Sequence, residues 1–114
     1  MTIAEERCGD LLILKPEGKL DSDLSPKVEE ALFGALDRGE KQVLFDMSGI
    51  SYISSRGLRV FLVGARRAKK GKARIAVCGL QEFVHEVFEI SGFFQLLDVY
   101  ASRSEGVESF GSGA

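Results

Sequence analysis

Two adjacent serines, Ser54 and Ser55, lie between a strand-like run that ends in a carboxylate, Val43-Leu44-Phe45-Asp46, and a segment of strong helical periodicity. A serine at a helix start can satisfy one of the orphan backbone N–H groups there. The same place suits a phosphoryl group. A phosphoserine carries about −1.5 to −2 charges at neutral pH, and a helix N-terminus is a natural cradle for an anion. Phosphorylation at Ser55 would then change the outer surface while leaving the core intact. On the residues alone the plainer reading stays open: Ser54 or Ser55 only caps the helix, and Ser48 and Ser51 are solvated turn residues.

Other chemistry finds less support. There is no Walker phosphate loop and no dinucleotide fingerprint. Ser55, His85 and an aspartate would make a hydrolase triad in principle, but no Gly-x-Ser-x-Gly elbow surrounds Ser55. His85 falls in the middle of a helical pattern, next to a core position, and reads as a partly exposed helix residue. Cys8 and Cys78 read as reduced, buried thiols. Together with the single histidine they are too few and too distant for a metal site. No catalytic residue, metal or cofactor is therefore expected. The basic run Arg66 to Lys72 lacks interleaved aromatics and reads as a solvated helix end, not a nucleic-acid site.

The elements that must hold these residues follow from the hydrophobic pattern. The chain has 114 residues, 45% of them apolar and 28% charged, with a formal net charge of −2. That fits one domain with a real core. No apolar run approaches a bilayer span, and Met1 to Asp10 does not read as a signal peptide, so the expectation is a cytoplasmic protein without membrane insertion. Thr2 to Cys8 pairs with Leu11-Leu12-Ile13-Leu14 through a turn at Gly9-Asp10. Gly18-Lys19-Leu20-Asp21 leads into a loop. Ser25 is a good N-cap before Pro26, and Val28, Ala31, Leu32, Ala35 and Leu36 share one helical face that stops at Gly39. Val43-Leu44-Phe45 is a strand buried on both sides. Residues 47 to 54 form a connection under which Ile50, Tyr52 and Ile53 tuck.

A second helix starts near Ser55 and buries Leu58, Phe61, Leu62, Ala65 and Ala68, ending near Gly71. Its opposite stripe carries Val60, Val63 and Arg67, with Arg59 beside them, which suggests a docking face. Arg74 to Cys78 is a strand. Gln81 to Ser91 is a helix with Phe83, Val84, Val87 and Phe88 inward. Leu96 to Val99 is the last strand. The predicted domain spans 1–101, and residues 102–114 form a tail with at most one weak turn around Val107 to Phe110. Alternating strands and helices imply an α/β fold: a mixed, mostly parallel sheet of four to five strands with helices packed against it.

The run Phe45-Asp46-Met47-Ser48, Tyr52-Ile53, Ser54-Ser55-Arg56-Gly57-Leu58 resembles the signature of the STAS domain family, which includes the anti-sigma factor antagonists. Gly18-Lys19-Leu20-Asp21 resembles that family's upstream Gly-x-Leu-Asp element, and the order of elements matches from about residue 3 to residue 100. The resemblance implies that Ser55 is the phosphoacceptor, with Ser54 as the alternative. It implies that Asp21 and Asp46 lie beside it and shape the partner's approach. Two residues depart from the family pattern: Ser54 stands where aspartate is frequent, and Arg56 where a small residue is usual. Arg56 would either stabilise the phosphorylated form or contact an acidic partner. The implied function is binding of an anti-sigma factor with serine kinase activity, ended by phosphorylation and restored by a protein serine phosphatase. STAS-like domains also serve, unmodified, as scaffolds in signalling assemblies or with lipid-transport ATPases. That alternative stays open here.

Overall fold

The computed structural model describes residues 3–111. Met1, Thr2 and the last three residues, which include the Ser112-Gly113 part of the predicted tail, lie outside it. Strand β1 (Ile3–Cys8) turns through Gly9, whose φ of +63° favours glycine, into the antiparallel strand β2 (Leu11–Pro16). Strand β3 (Gly18–Leu20) follows, then helix α1 (Ser25–Asp37) and strand β4 (Gln42–Asp46). Strand β5 (Ile50–Ile53) leads into helix α2 (Ser55–Lys70) and strand β6 (Arg74–Cys78). Helix α3 (Glu82–Ile90), a 3-10 turn (Phe93–Gln95), strand β7 (Asp98–Tyr100) and helix α4 (Arg103–Ser109) complete the chain.

The five-stranded sheet has the order β1-β2-β4-β6-β7, antiparallel only between β1 and β2. Its central strands alternate cleanly between two apolar faces, as a pleated strand requires. Leu12, Leu14, Val43, Phe45, Ile75 and Val77 join the larger core under α1, α2 and α3. Leu11, Ile13, Leu44, Ala76 and Cys78 form the smaller core under α4. The α/β architecture and the covered central strand are as the sequence implies.

Several local expectations change. The connection expected over residues 47–54 contains strand β5, and Gly18–Leu20 pairs with it in parallel as a separate two-stranded sheet before the chain enters the expected loop. Ile50 and Ile53 are buried as expected, whereas Tyr52 is 40% exposed. Ser25 is the first residue of α1 and not its cap, and the residues ahead of the helix are held by Asp21, whose carboxylate accepts from the Asp23 and Leu24 N–H groups. The last strand begins two residues later than expected, because Phe93–Gln95 takes a helical turn and anchors Phe93 in the core. The weak turn expected at Val107 to Phe110 is a helix over Arg103–Ser109, set against β6 and β7. Cys8 is exposed on the edge strand β1, not buried. Cys78 is buried, and desolvation pushes its thiol up to about 11.

The largest correction concerns α2. Its buried residues are Gly57, Val60, Phe61, Gly64 and Ala68, while Leu58, Leu62 and Ala65 are only half-buried. Hydropathy does not register a glycine, yet Gly57 and Gly64 mark the face that approaches its neighbours most closely. A Cβ on Gly64 would lie 2.5 Å from a Leu32 methyl of α1. The helix is therefore rotated from the predicted setting, and Val60, expected outside, is 3% exposed. Phe83 makes the opposite error: expected inside, it is 48% exposed.

Candidate functional site

The site is assembled by the β3–β5 pair. Ser54 leaves β5 in extended conformation (φ −93°, ψ 173°) and caps α2, its Oγ accepting from the Gly57 N–H at 3.3 Å. The same hydroxyl donates to the Leu20 carbonyl at 2.8 Å, and the Ser54 N–H donates to that carbonyl at 3.0 Å. Leu20, at the end of β3, is fully buried. Ser54 is thus a part-buried hydroxyl used in both directions, and the helix start is fastened to the fold through it.

Ser55 is the next residue, at the first helical position, and it is exposed. The helix starts at Ser55 as expected, and of the two serines that could cap it the cap is Ser54. The division of labour separates the two hydroxyls. A phosphoryl group on Ser54 would remove the proton that its hydroxyl donates to the Leu20 carbonyl and force bulk and charge into a part-buried cap. One on Ser55 would meet no such cost.

Gly57 explains why the chain can approach this closely. A Cβ there would lie 2.9 Å from the Ile53 side chain, 3.0 Å from the Leu20 carbonyl oxygen and 3.1 Å from Leu20 Cβ. The residue acts through packing, since it is itself buried.

A surface groove opens between α1 and α2, lined by Glu29, Phe33, Ser55, Arg56, Arg59, Val60 and Val63. It brings together four of the sequence-derived residues around Ser55: Arg56 and Arg59 are exposed, Val63 is half-buried, and Val60 supplies the groove's floor. Glu29 and Phe33 were not anticipated. They sit four apart on α1, outside its buried stripe, and only the α1–α2 packing shows that they face Ser55. Arg67 lies outside the groove. It donates to Asp37 on α1 at 2.7 Å and stacks over the Phe33 ring at 4.4 Å, so its charge is engaged within the fold.

The two aspartates part company. Asp21 adjoins Leu20 and therefore sits beside the Ser54 cap. The N–H groups of Leu24 and Asp23 hold its carboxyl below the usual aspartate range. Asp46 does not reach the groove. Strand alternation turns it, like Leu44, to the α4 face, where it is 7% exposed. Its carboxylate accepts from the Ser48 N–H at 3.0 Å and the Ser48 hydroxyl at 2.8 Å, and lies 3.5 Å from Arg103 Nε on α4. His85 is exposed on α3, edge-on to Phe94 at 5.0 Å, and faces a different depression from Ser55. Tyr52 stacks on Phe83 (5.7 Å, 11° between planes), forming an exposed aromatic pair that spans β5 and α3. Among the described residues, no helix is long and apolar enough to cross a membrane.

Comparison with known proteins gives this arrangement a family. The model of the STAS domain matches residues 2–106. BtrV of Bordetella bronchiseptica is 34% identical over 110 residues, covering 96% of this chain and 95% of BtrV. The anti-sigma-B factor antagonist of Listeria monocytogenes is 26% identical over 95 residues, 83% of each chain. Among solved structures, SpoIIAA in its unphosphorylated form superposes with a TM-score of 0.81 at 17% identity, over 96% of both chains. The phosphorylated form of the Bacillus SpoIIAA gives 0.76 at 16% identity, over 96% of this chain and 99% of that one. At these identities the structural likeness speaks for the fold, and the family model and BtrV speak for descent. The chain belongs to the STAS domain family.

Proposed function

We propose that this chain is an anti-sigma factor antagonist, a non-enzymatic regulator whose unmodified form binds an anti-sigma factor with serine kinase activity. That partner ends the interaction by phosphorylating Ser55, and a protein serine phosphatase restores it. In the transfer, Ser55 Oγ forms a bond to the γ-phosphorus of ATP. The bond from that phosphorus to the β–γ bridging oxygen breaks with its electron pair on ADP, and the hydroxyl proton passes to a base of the kinase. The chain is the substrate of this step.

The observation that carries the reading is the contrast within one dipeptide: Ser54 is committed to the helix cap, while Ser55 is exposed at the first helical position. A modification of Ser55 changes charge at the surface without removing a bond of the fold. The names of relatives support the partner class, since the Listeria protein is an anti-sigma-B factor antagonist. The groove supports a docking role, with an apolar floor of Phe33, Val60 and Val63 and a rim of Arg56 and Arg59.

The test is binding and phosphorylation with the purified anti-sigma factor kinase. Ser55→Ala is expected to bind and resist phosphorylation, and Ser55→Asp to lose binding. Equal binding by both variants, with no phosphate incorporated into the wild type, would overturn the switch and leave the unmodified scaffold.

A further inference from the structure

The cations along α2 are not equivalent. Arg67 is engaged with Asp37 and Phe33. Arg56 and Arg59 are exposed on the groove beside Ser55, and neither forms an ion pair among the described residues. Ser55 and Arg59 stand four apart on the helix, so they share a face, with Cβ atoms about 5–6 Å apart. A long helical side chain leans toward the helix N-terminus, which carries the Arg59 guanidinium toward Ser55. Arg56 follows Ser55 directly and lines the same groove. A neutral hydroxyl offers two guanidiniums no opposite charge.

We propose that Arg56 and Arg59 form a phosphate clamp: once Ser55 is phosphorylated, both guanidiniums close on its phosphoryl oxygens and hold the group within the α1–α2 groove. This rests on the reading of Ser55 as the modified residue and states what the phosphate then does. An anion followed by a cation four residues on is the favourable order along a helix. Guanidinium matches phosphate oxygens in bidentate geometry. Glu29, the charged residue that α1 contributes to the groove, opposes the clamp. Two arginines against one glutamate leave the unmodified groove net positive. A phosphate of about −1.5 to −2 charges reverses that sign and occupies both cations. The modification thus acts by withdrawing a cationic rim as well as by adding bulk, and the clamp itself makes and breaks no covalent bond.

The test uses the full chain with phosphoserine genetically encoded at position 55, so no kinase is needed. The second ionisation of the phosphate is followed by ³¹P NMR across pH. Opposite charge favours the dianion. The wild-type phosphate should therefore bind its last proton about threefold or more weakly, a shift of about half a pH unit, compared with the Arg56→Gln/Arg59→Gln double variant. A control, Arg66→Gln/Lys70→Gln, removes the same charge from farther along the same helix and should leave the midpoint in place. Both pairs are exposed, and amide spectra verify folding. The clamp is overturned if the double variant titrates with the wild type, or if the control shifts the midpoint as much. Failure here leaves open whether cells modify Ser55. Absence of Ser55 phosphate in cells would instead strike the switch reading and leave this titration untouched.

Discussion

On the α4 face of the sheet, both arginines have carboxylate partners. Arg74 donates to Asp98 at 2.8 Å, to the Tyr100 hydroxyl at 2.7 Å and to the Ser109 carbonyl at 3.1 Å, and lies over the Phe110 ring at 4.2 Å. Arg103 reaches Glu6 at 3.0 Å and Asp46 at 3.5 Å. On the α1–α2 face, Arg56 and Arg59 border an open groove and have no ion-pair partner among the described residues. The residue types are the same and the partners differ. The α4 face uses charge to attach a short helix, and the α1–α2 face leaves charge available. Asp46 and Ser55 belong to one sequence motif, yet the fold sends them to these two different regions.

Five substitutions and one acid titration sharpen or break this contrast. Asp46→Ala removes the acceptor of two Ser48 hydrogen bonds and the carboxylate beside Arg103, and is expected to cost about 2–3 kcal/mol of stability by denaturant unfolding. Binding of the anti-sigma factor should be unchanged. A large loss of binding with stability intact would return Asp46 to the site. Gly57→Ala drives a Cβ into the Leu20 backbone and should cost about 1–3 kcal/mol. Gly106→Ala, on the α4 face, meets chiefly the Leu44 methyls at 3.0 and 3.2 Å, which can move, so its cost should be smaller. Equal costs would mean that the α2 start is looser than its contacts imply.

Within the dipeptide, Ser54→Ala should lose about 1 kcal/mol as a cap, and Ser55→Ala should stay within about 0.5 kcal/mol. The reverse order would exchange their roles. The smallest effect belongs to Asp21. Its carboxyl is held below the usual aspartate range by the Leu24 and Asp23 N–H groups. A lowered folded value contributes stability that is fully present above the ordinary aspartate range and is lost as pH falls through the lowered folded value. Asp21→Asn should therefore flatten the acid limb of the stability curve below about pH 4 and leave it unaltered near neutrality.

Much of the fold was legible. The β1–β2 hairpin, the apolar runs of β2, β4 and β6 and the start signal of Pro26 are local patterns, and local patterns survive in the sequence. β3 and β5 are three and four residues long and gain their identity only by pairing with each other. The α2 face was misread because Gly57 and Gly64 carry no hydropathy and make its closest contacts. The Ser54-Ser55 pair at the helix start was legible, but which of the two caps the helix depends on the Leu20 carbonyl, 34 residues away in sequence. Glu29 and Phe33 could not be assigned to the site before the crossing of α1 and α2 was known. The turn of Asp46 toward α4 required knowing that residues 103–109 form a helix on that face.

The central claim is that one exposed hydroxyl, released from structural duty by its neighbour, is the one that cells modify. Intact-mass analysis of the chain from its native cells, followed by fragment mapping, tests it most directly. The account predicts a single phosphoryl group, carried by Ser55. A phosphoryl group on Ser54, or an unmodified chain under every growth condition sampled, would contradict it.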